Sequence, residues 1–235
     1  MVQYTEWRSI SDGSIISDIP DSGLVHEFLF DEGSGTSFAD TAGNADGSLN
    51  GATWQSGAGA GDYYIDTDGG DDTPRTDSNI SISGTQDRTF VAWINYHEEG
   101  NYIWEYANND SDGGRMAVRF QNGDEFYHSM HFENATITGI DYSSVLDSWG
   151  MIAHRTQNGD TLKVDVEPGT SNESSGSVSN SAWDTNTDDF KFGWHTVGGT
   201  DHTDVDFGEM YVYDRHLSDS ELSDIRYATA DNYPV

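Results

Sequence analysis

Short apolar and aromatic runs, cut apart by Gly, Asn, Asp and Ser, restrict this chain's fold more than any other feature of its sequence. From Gly23 onward eleven of them read as strands: Leu24–Leu29, Tyr63–Ile65, Ile80–Ile82, Phe90–Tyr96, Tyr102–Tyr106, Met116–Phe120, Phe126–Phe132, Gly150–Thr156, Leu162–Val166, Phe190–Phe192 and Phe207–Tyr213. Asn122-Gly123-Asp124 and Asn158-Gly159-Asp160 each lie between two runs, and Asn-Gly takes the left-handed backbone of a tight hairpin readily. One stretch, Ser218–Tyr227, is helical in pattern: Ser218 and Glu221 form a capping box, and Leu217, Leu222 and Ile225 give a partial apolar stripe. Strands without helices between them cannot make parallel crossovers, so the expected fold is all-β, an antiparallel two-sheet sandwich with one short C-terminal helix.

The 235 residues fit one such domain. Residues 23–235 read as the sandwich. Residues 1–22 read as an extended arm, too rich in Tyr4, Trp7 and isoleucines for a plain linker, either free or docked on its own domain or a neighbour. The glycine-rich segment Ala58–Asp72 and the serine-rich segment Thr170–Ser181 read as loops.

Charge excludes whole classes of partner. Forty-two acids stand against 10 bases, a formal net charge of −32, which repels nucleic acid and anionic lipid. High charge with low hydrophobicity can mean disorder, but an aromatic content of 12% supplies a core. Aspartates dominate the acids and only Lys163 and Lys191 are lysines, a balance that resembles proteins of extreme halophiles. In molar salt the screening length falls to about 3 Å and self-repulsion fades, so folding is expected to depend on such salt. A calcium-loaded acidic module from a marine or secreted source is the alternative. No cysteine is present, so neither disulfides nor thiolate chemistry arise. No run is long and apolar enough to span a bilayer as a helix, and Met1 to Pro20 lacks the basic and apolar regions of an export signal.

Gly23–Asn50 (GLVHEFLFDEGSGTSFADTAGNADGSLN) resembles the opening of laminin-G-like, concanavalin-A-like domains. Four further stretches match in order: Phe90–Ile94, similar to a strand with an inward Trp; Trp149–Asp165, similar to a Trp-to-Val-Asp hairpin; Lys191–Gly193; and Glu209–Leu222, similar to the last strand and its helix. The resemblance spans about residues 23–228 and implies a jelly roll. That fold hosts lectins, adhesion modules, glycosidases and virion proteins, so it names no function by itself.

A glycosidase needs two carboxylates about 5–10 Å apart. The alternating Glu-x-Asp-x-Glu strand of concanavalin-A-like glucanases is missing, and no Gly-x-Ser-x-Gly elbow occurs, so no catalytic residue is expected. His128 and His131 would point to opposite faces of a strand, one inward and one at the surface, while His195, His202 and His216 stand alone in loops. The resemblance implies one structural Ca2+ held by Asp31, Glu32, Asp40 and an acid of the last strand. There Gly208-Glu209 replaces the family's acid pair, so Glu209, with Asp206 in support, would serve. The same acids read equally well as solvated surface charge. For ligands, Trp183, Trp194 and His195 lie near loops, and Tyr102, Trp104 and Tyr106 alternate so as to share one strand face, as a sugar platform or as core.

Two readings follow. One is a non-catalytic virion surface protein (capsid decoration, turret or spike) of a virus of an extreme halophile, a homo-oligomer joined by its arm to other virion or surface-assembly subunits and able to bind host surface glycans. The other is an exported carbohydrate-binding or adhesion module of a halophilic archaeon or bacterium. Either places the protein outside the cell, in high salt.

Overall fold

The computed structural model describes residues 19–107, 114–130, 134–180, 184–196 and 201–235. Two antiparallel eight-stranded sheets face one another, joined by a two-stranded pair and one helix, which is the expected concanavalin-A-like sandwich. In the first sheet the order is Ser174–Ser179, Thr161–Val166, Trp149–Gln157, Arg88–Tyr96, Asp204–Tyr213, Tyr63–Asp68 and Thr53–Ser56, with Leu24–Phe28 also pairing with Asp204–Tyr213. In the second it is Ala135–Thr138, Glu125–Met130, Met116–Gln121, Trp104–Tyr106, Phe190–Phe192, Arg75–Thr76, Gly47–Ser48 and Ser37–Phe38. Both Asn-Gly cues form hairpins, with Asn122 (φ 57°) and Asn158 (φ 57°) in the left-handed region before their glycines.

Alternation sends one side of each strand into a shared core. Phe90, Ala92 and Ile94 of the first sheet meet Trp104, Tyr106, Val118, Phe120, Phe190 and Phe192 of the second, all essentially without solvent exposure. Two histidines belong to this core. His128 and His154 come from opposite sheets, and their rings meet 4.6 Å apart between Phe90 and Phe126. His128 is therefore inward; the other histidine of that pair, His131, lies outside the described residues.

The last strand takes two partners along one edge because it is bulged. Asp204 to Phe207 pair with Tyr63–Asp68, Met210 to Tyr213 pair with Leu24–Phe28, and the register slips between Phe207 and Met210. Gly208 stands in that bulge, where a Cβ would come 2.2 Å from the Tyr233 hydroxyl. The helix Asp219–Thr229 then folds back, its capping box formed as expected: Glu221 N–H donates to Ser218 Oγ at 3.2 Å, and Ser218 N–H to Glu221 Oε2 at 2.8 Å. It covers the outer face of the first sheet with Leu222 and Ile225, against Val91, Trp93, Met151, Tyr211 and Tyr213.

That second core corrects the expectation of an inward Trp. Trp93 is fully buried, but beneath the helix: its indole N–H donates to Thr229 Oγ1 at 2.7 Å and its ring stacks on Tyr233 at 4.1 Å. A strand covered on both faces reads as a continuous apolar run, so its alternation does not say which side faces the other sheet. Two further expectations shift. Ile80 and Ile82 are buried but form no strand. The supposed loop Thr170–Ser181 contains the edge strand Ser174–Ser179, whose side chains alternate between half-buried and exposed and lend only Val178 to the core.

Candidate functional site

The side chains most suited to binding lie on the outer face of the second sheet. Register fixes one cross-strand row there: Ser129 opposite Ala117, Ala117 opposite Glu105, Glu105 opposite Lys191, and Lys191 opposite Arg75. On the Met116–Gln121 strand and the residue before it, Arg115, Ala117 and Arg119 alternate onto that face, because inward Met116, Val118 and Phe120 fill the core. A strand rises about 3.3 Å per residue, so the two guanidinium-bearing positions stand about 13 Å apart with an alanine between them.

Side chains close a ring around that alanine. The Arg119 guanidinium lies 4.7 Å from the Tyr127 ring centre and 4.7 Å from that of Tyr102. Tyr102 stacks on His195 at 4.1 Å. Arg115 Nη1 meets His195 Nε2 at 2.7 Å, and its Nη2 donates to Ser129 Oγ at 2.5 Å. Arginine only donates, so His195 Nε2 accepts and a neutral ring keeps its proton on Nδ1. Beneath the ring, buried Glu105 accepts from Thr196 Oγ1 at 2.6 Å and pairs with Lys191 Nζ at 3.4 Å, while Lys191 also reaches Asp189 at 2.7 Å. At one side Trp194 donates its indole N–H to the Pro74 carbonyl at 3.1 Å and lies 5.9 Å from Lys191 Nζ. Four of the chain's 10 bases, Arg75, Arg115, Arg119 and Lys191, are gathered on this face.

Of the expected ligand residues, Tyr102, His195 and Trp194 come together here, and His195 is no isolated loop residue. Trp104 and Tyr106 do not join them. Both are fully buried between the sheets, Trp104 against Phe90 and Phe190, and Tyr106 with its hydroxyl accepting from Arg88 Nη1 at 2.5 Å. The expected shared face fails at one step: Ile103 N–H donates to the Val118 carbonyl, and Trp104 pairs with the same residue. Two consecutive residues thus face Val118, and Tyr102 turns outward while Trp104 and Tyr106 turn in. Trp183 lies outside the described residues. Sequence reasoning missed Arg115, Arg119, Tyr127 and Glu105. The signal was there in Arg-Met-Ala-Val-Arg, two bases at alternate strand positions in a chain with few.

The acids proposed for calcium are placed apart, and among the described residues no three His, Asp or Glu side chains gather closely enough to hold a metal. Asp40 is occupied by N–H donors: the His26 ring at 2.6 Å and the backbone of Glu27, Gly43 and Ala45 at 2.8–3.0 Å. Burial raises its pKa, but the His26 bond and these N–H groups outweigh it and hold the carboxyl below its usual range. Glu32 accepts from Ala39 N–H at 2.7 Å, and Asp31 is exposed. Glu209 is buried in the bulge, accepting from Tyr211 O–H at 3.0 Å and from Asn232, and burial pushes its pKa up to about 7. Asp206 points to the outer face of the first sheet, held by Asn95 at 3.0 Å and His97 at 3.2 Å; burial raises it to about 6. Its cross-strand neighbour Asp66 is likewise raised, first by burial. His97 bridges Asp206 to Asp147, 2.9 Å away, and these partners outweigh its own burial and raise its pKa.

No protein-family profile matches the sequence, and no curated protein does. Solved structures match the fold at low identity. The binding domain of Paraclostridial Mosquitocidal Protein 1 superposes with a TM-score of 0.65 at 16% identity, over 89% of this chain and 53% of that one. The receptor binding domain of botulinum neurotoxin C/D mosaic serotype gives 0.62 at 14%, over 88% and 51%. Trypanosoma rangeli sialidase in complex with sialic acid gives 0.63 at 14%, over 93% and 34%. This chain therefore spans between a third and about half the length of the proteins it resembles.

Proposed function

We propose that this protein is a non-catalytic, lectin-type binding module that takes a glycan on the outer face of its second sheet. The observation that carries this is the ring Tyr127–Arg119–Tyr102–His195–Arg115–Ser129, closed around Ala117. Half-buried Tyr127 and Arg119 offer an aromatic ring, on which sugar C–H faces stack, and a donor fork, while buried Tyr102, His195, Arg115 and Ser129 hold them in place. Two of the structural neighbours are named as binding or receptor-binding domains, and a third was solved with a sugar acid, which supports a recognition role for a fold of this kind.

The absence of catalysis is part of the proposal. Glu105 and Asp189, two carboxylates that meet on this face, both pair with Lys191, and Glu105 also accepts from Thr196, so neither stands free as the acid or nucleophile a glycosidase needs. A glycan array tests the reading. The wild-type protein is expected to bind a subset of glycans, and Tyr127→Ala, at a half-buried position, is expected to weaken that binding about tenfold with an unchanged thermal midpoint. Binding unaffected by Tyr127→Ala would place the glycan elsewhere. Assembly of copies through residues 1–22 in a virion of a halophile is a separate proposal, for which the described residues supply no observation.

A further inference from the structure

We propose that the glycan taken by this face carries an acidic group, a carboxylate or a sulfate ester, and that Arg119 receives it. The inference rests on the reading of the outer face as a glycan site and names the chemistry that site selects. Its basis is how the chain's bases are neutralised. With 42 acids for 10 bases, carboxylates are everywhere, and most described bases have one within ion-pair distance. Arg155 pairs with Asp165 and Asp219, Lys163 with the same two, Arg215 with Glu221, Arg226 with Glu167, Lys191 with Asp189 and Glu105, and Arg75 with Asp189.

Three described bases depart from that pattern: Arg88, enclosed in the core with its guanidinium on hydroxyls and backbone carbonyls, and Arg115 and Arg119 on this face. Among the described residues neither of these last two has a carboxylate within 4 Å. Arg119 Nε donates to the neutral amide of Gln121 at 2.8 Å and Nη1 to the Gly100 carbonyl at 2.9 Å; Nη2 has no partner among them and is not buried. Arg115 gives its two Nη groups to the His195 imidazole, whose Nε2 also lies 3.5 Å from Glu105 Oε2, and to a hydroxyl, and its buried Nε has no acceptor among the described residues. Two guanidiniums without a directly paired carboxylate thus stand four residues apart on one strand face in a chain of net charge −32, and Arg119 is the half-buried one a ligand can reach. The Tyr102 and Tyr127 rings each lie 4.7 Å from the Arg119 guanidinium, and with the Gln121 and Gly100 acceptors they orient its fork before any ligand arrives. A planar donor fork with an unused N–H matches a carboxylate or sulfate, and half-buried Tyr127 stands beside it for the sugar ring.

Titration calorimetry on the full chain, at the lowest ionic strength at which it is folded, tests this with four probes: a uronate-containing disaccharide, the same sugar with its carboxyl converted to an amide, a sulfated disaccharide, and its unsulfated parent. At least one acidic sugar is expected to bind tenfold or more tightly than its neutral counterpart. Arg119→Gln is expected to erase that ratio, lowering the acidic sugar's affinity at least tenfold more than the neutral sugar's, and Arg119→Lys to restore part of it. Which acidic sugar is preferred identifies the oxyanion. Equal affinity for acidic and neutral sugars overturns the inference and leaves the glycan reading standing. A preference that survives Arg119→Gln overturns the assignment to Arg119. If the wild-type protein binds none of the four, the glycan reading falls and the inference with it.

Discussion

Replacing His128 and His154 together with leucine is expected to remove about 4 kcal/mol of acid-induced destabilisation between pH 7 and pH 5. The two rings face each other across the core, fully buried, and among the described residues none of their four nitrogens makes a well-formed hydrogen bond, His128 having only a weak contact with the Ala135 backbone. Burial drives His128 down to about 3, against a weaker opposing pull from the Ala135 backbone. Burial, with His128 and Arg88 nearby, drives His154 well below its usual value. Phe90 and Phe126 supply the rest of the surroundings, so neither ring has a carboxylate to steady a proton.

The sign follows from which state binds protons. Below the ordinary histidine value of 6.5 the unfolded chain takes up two protons that the folded core refuses, so stability falls as pH falls. Each histidine contributes ~1.4 kcal/mol per pH unit, and about 1.5 units separate 6.5 from 5, giving ~2 kcal/mol each. The wild-type slope alone would mislead. Glu209 and Asp206, raised to about 7 and about 6, take up protons in the folded state and act in the opposite direction. Urea unfolding of wild type and double variant at both pH values cancels those contributions in the difference. At pH 7 the variant is expected to be at least as stable, since it exchanges polar atoms without a well-formed hydrogen bond for apolar ones of similar size. Equal pH slopes for the two proteins would refute the reasoning.

Glu209→Gln should stabilise the protein above pH 7 and lose that advantage as the pH falls toward 4.5. A carboxyl raised to about 7 by burial opposes folding when charged, by up to about 3 kcal/mol; identical denaturation midpoints for variant and wild type at pH 8 would contradict this. Arg155→Ala should destabilise by roughly 3–5 kcal/mol, since it strands Asp165, which is buried with its carboxylate 2.7 Å from the guanidinium. A thermal shift of only one or two degrees for that variant would show that Lys163, 3.1 Å from Asp165, suffices alone.

Local chemistry determined much of this protein before any long-range contact. The Asn158-Gly159 turn, the Ser218–Glu221 capping box and the alternation along Thr161–Val166 each depend on neighbours within a few residues, so the hairpins, the helix and the all-β class were legible in the chain. The cluster of bases on one sheet face was encoded as well, in the alternation of Arg115, Ala117 and Arg119, but nothing local says what lies across from them. Only the tertiary structure decided that the last helix would cover Trp93, that a slip at Val118 would turn Tyr102 outward and Trp104 inward, and that His195 would reach Arg115 from 80 residues away. It also gave Asp40 to His26 and the backbone, and put Asp206 and Glu209 on different partners. The physical reason is the same in each case. A strand's period of two fixes which residues share a face, but which face meets the core, and which distant side chains gather over the other, depends on sheet pairing between segments far apart in sequence.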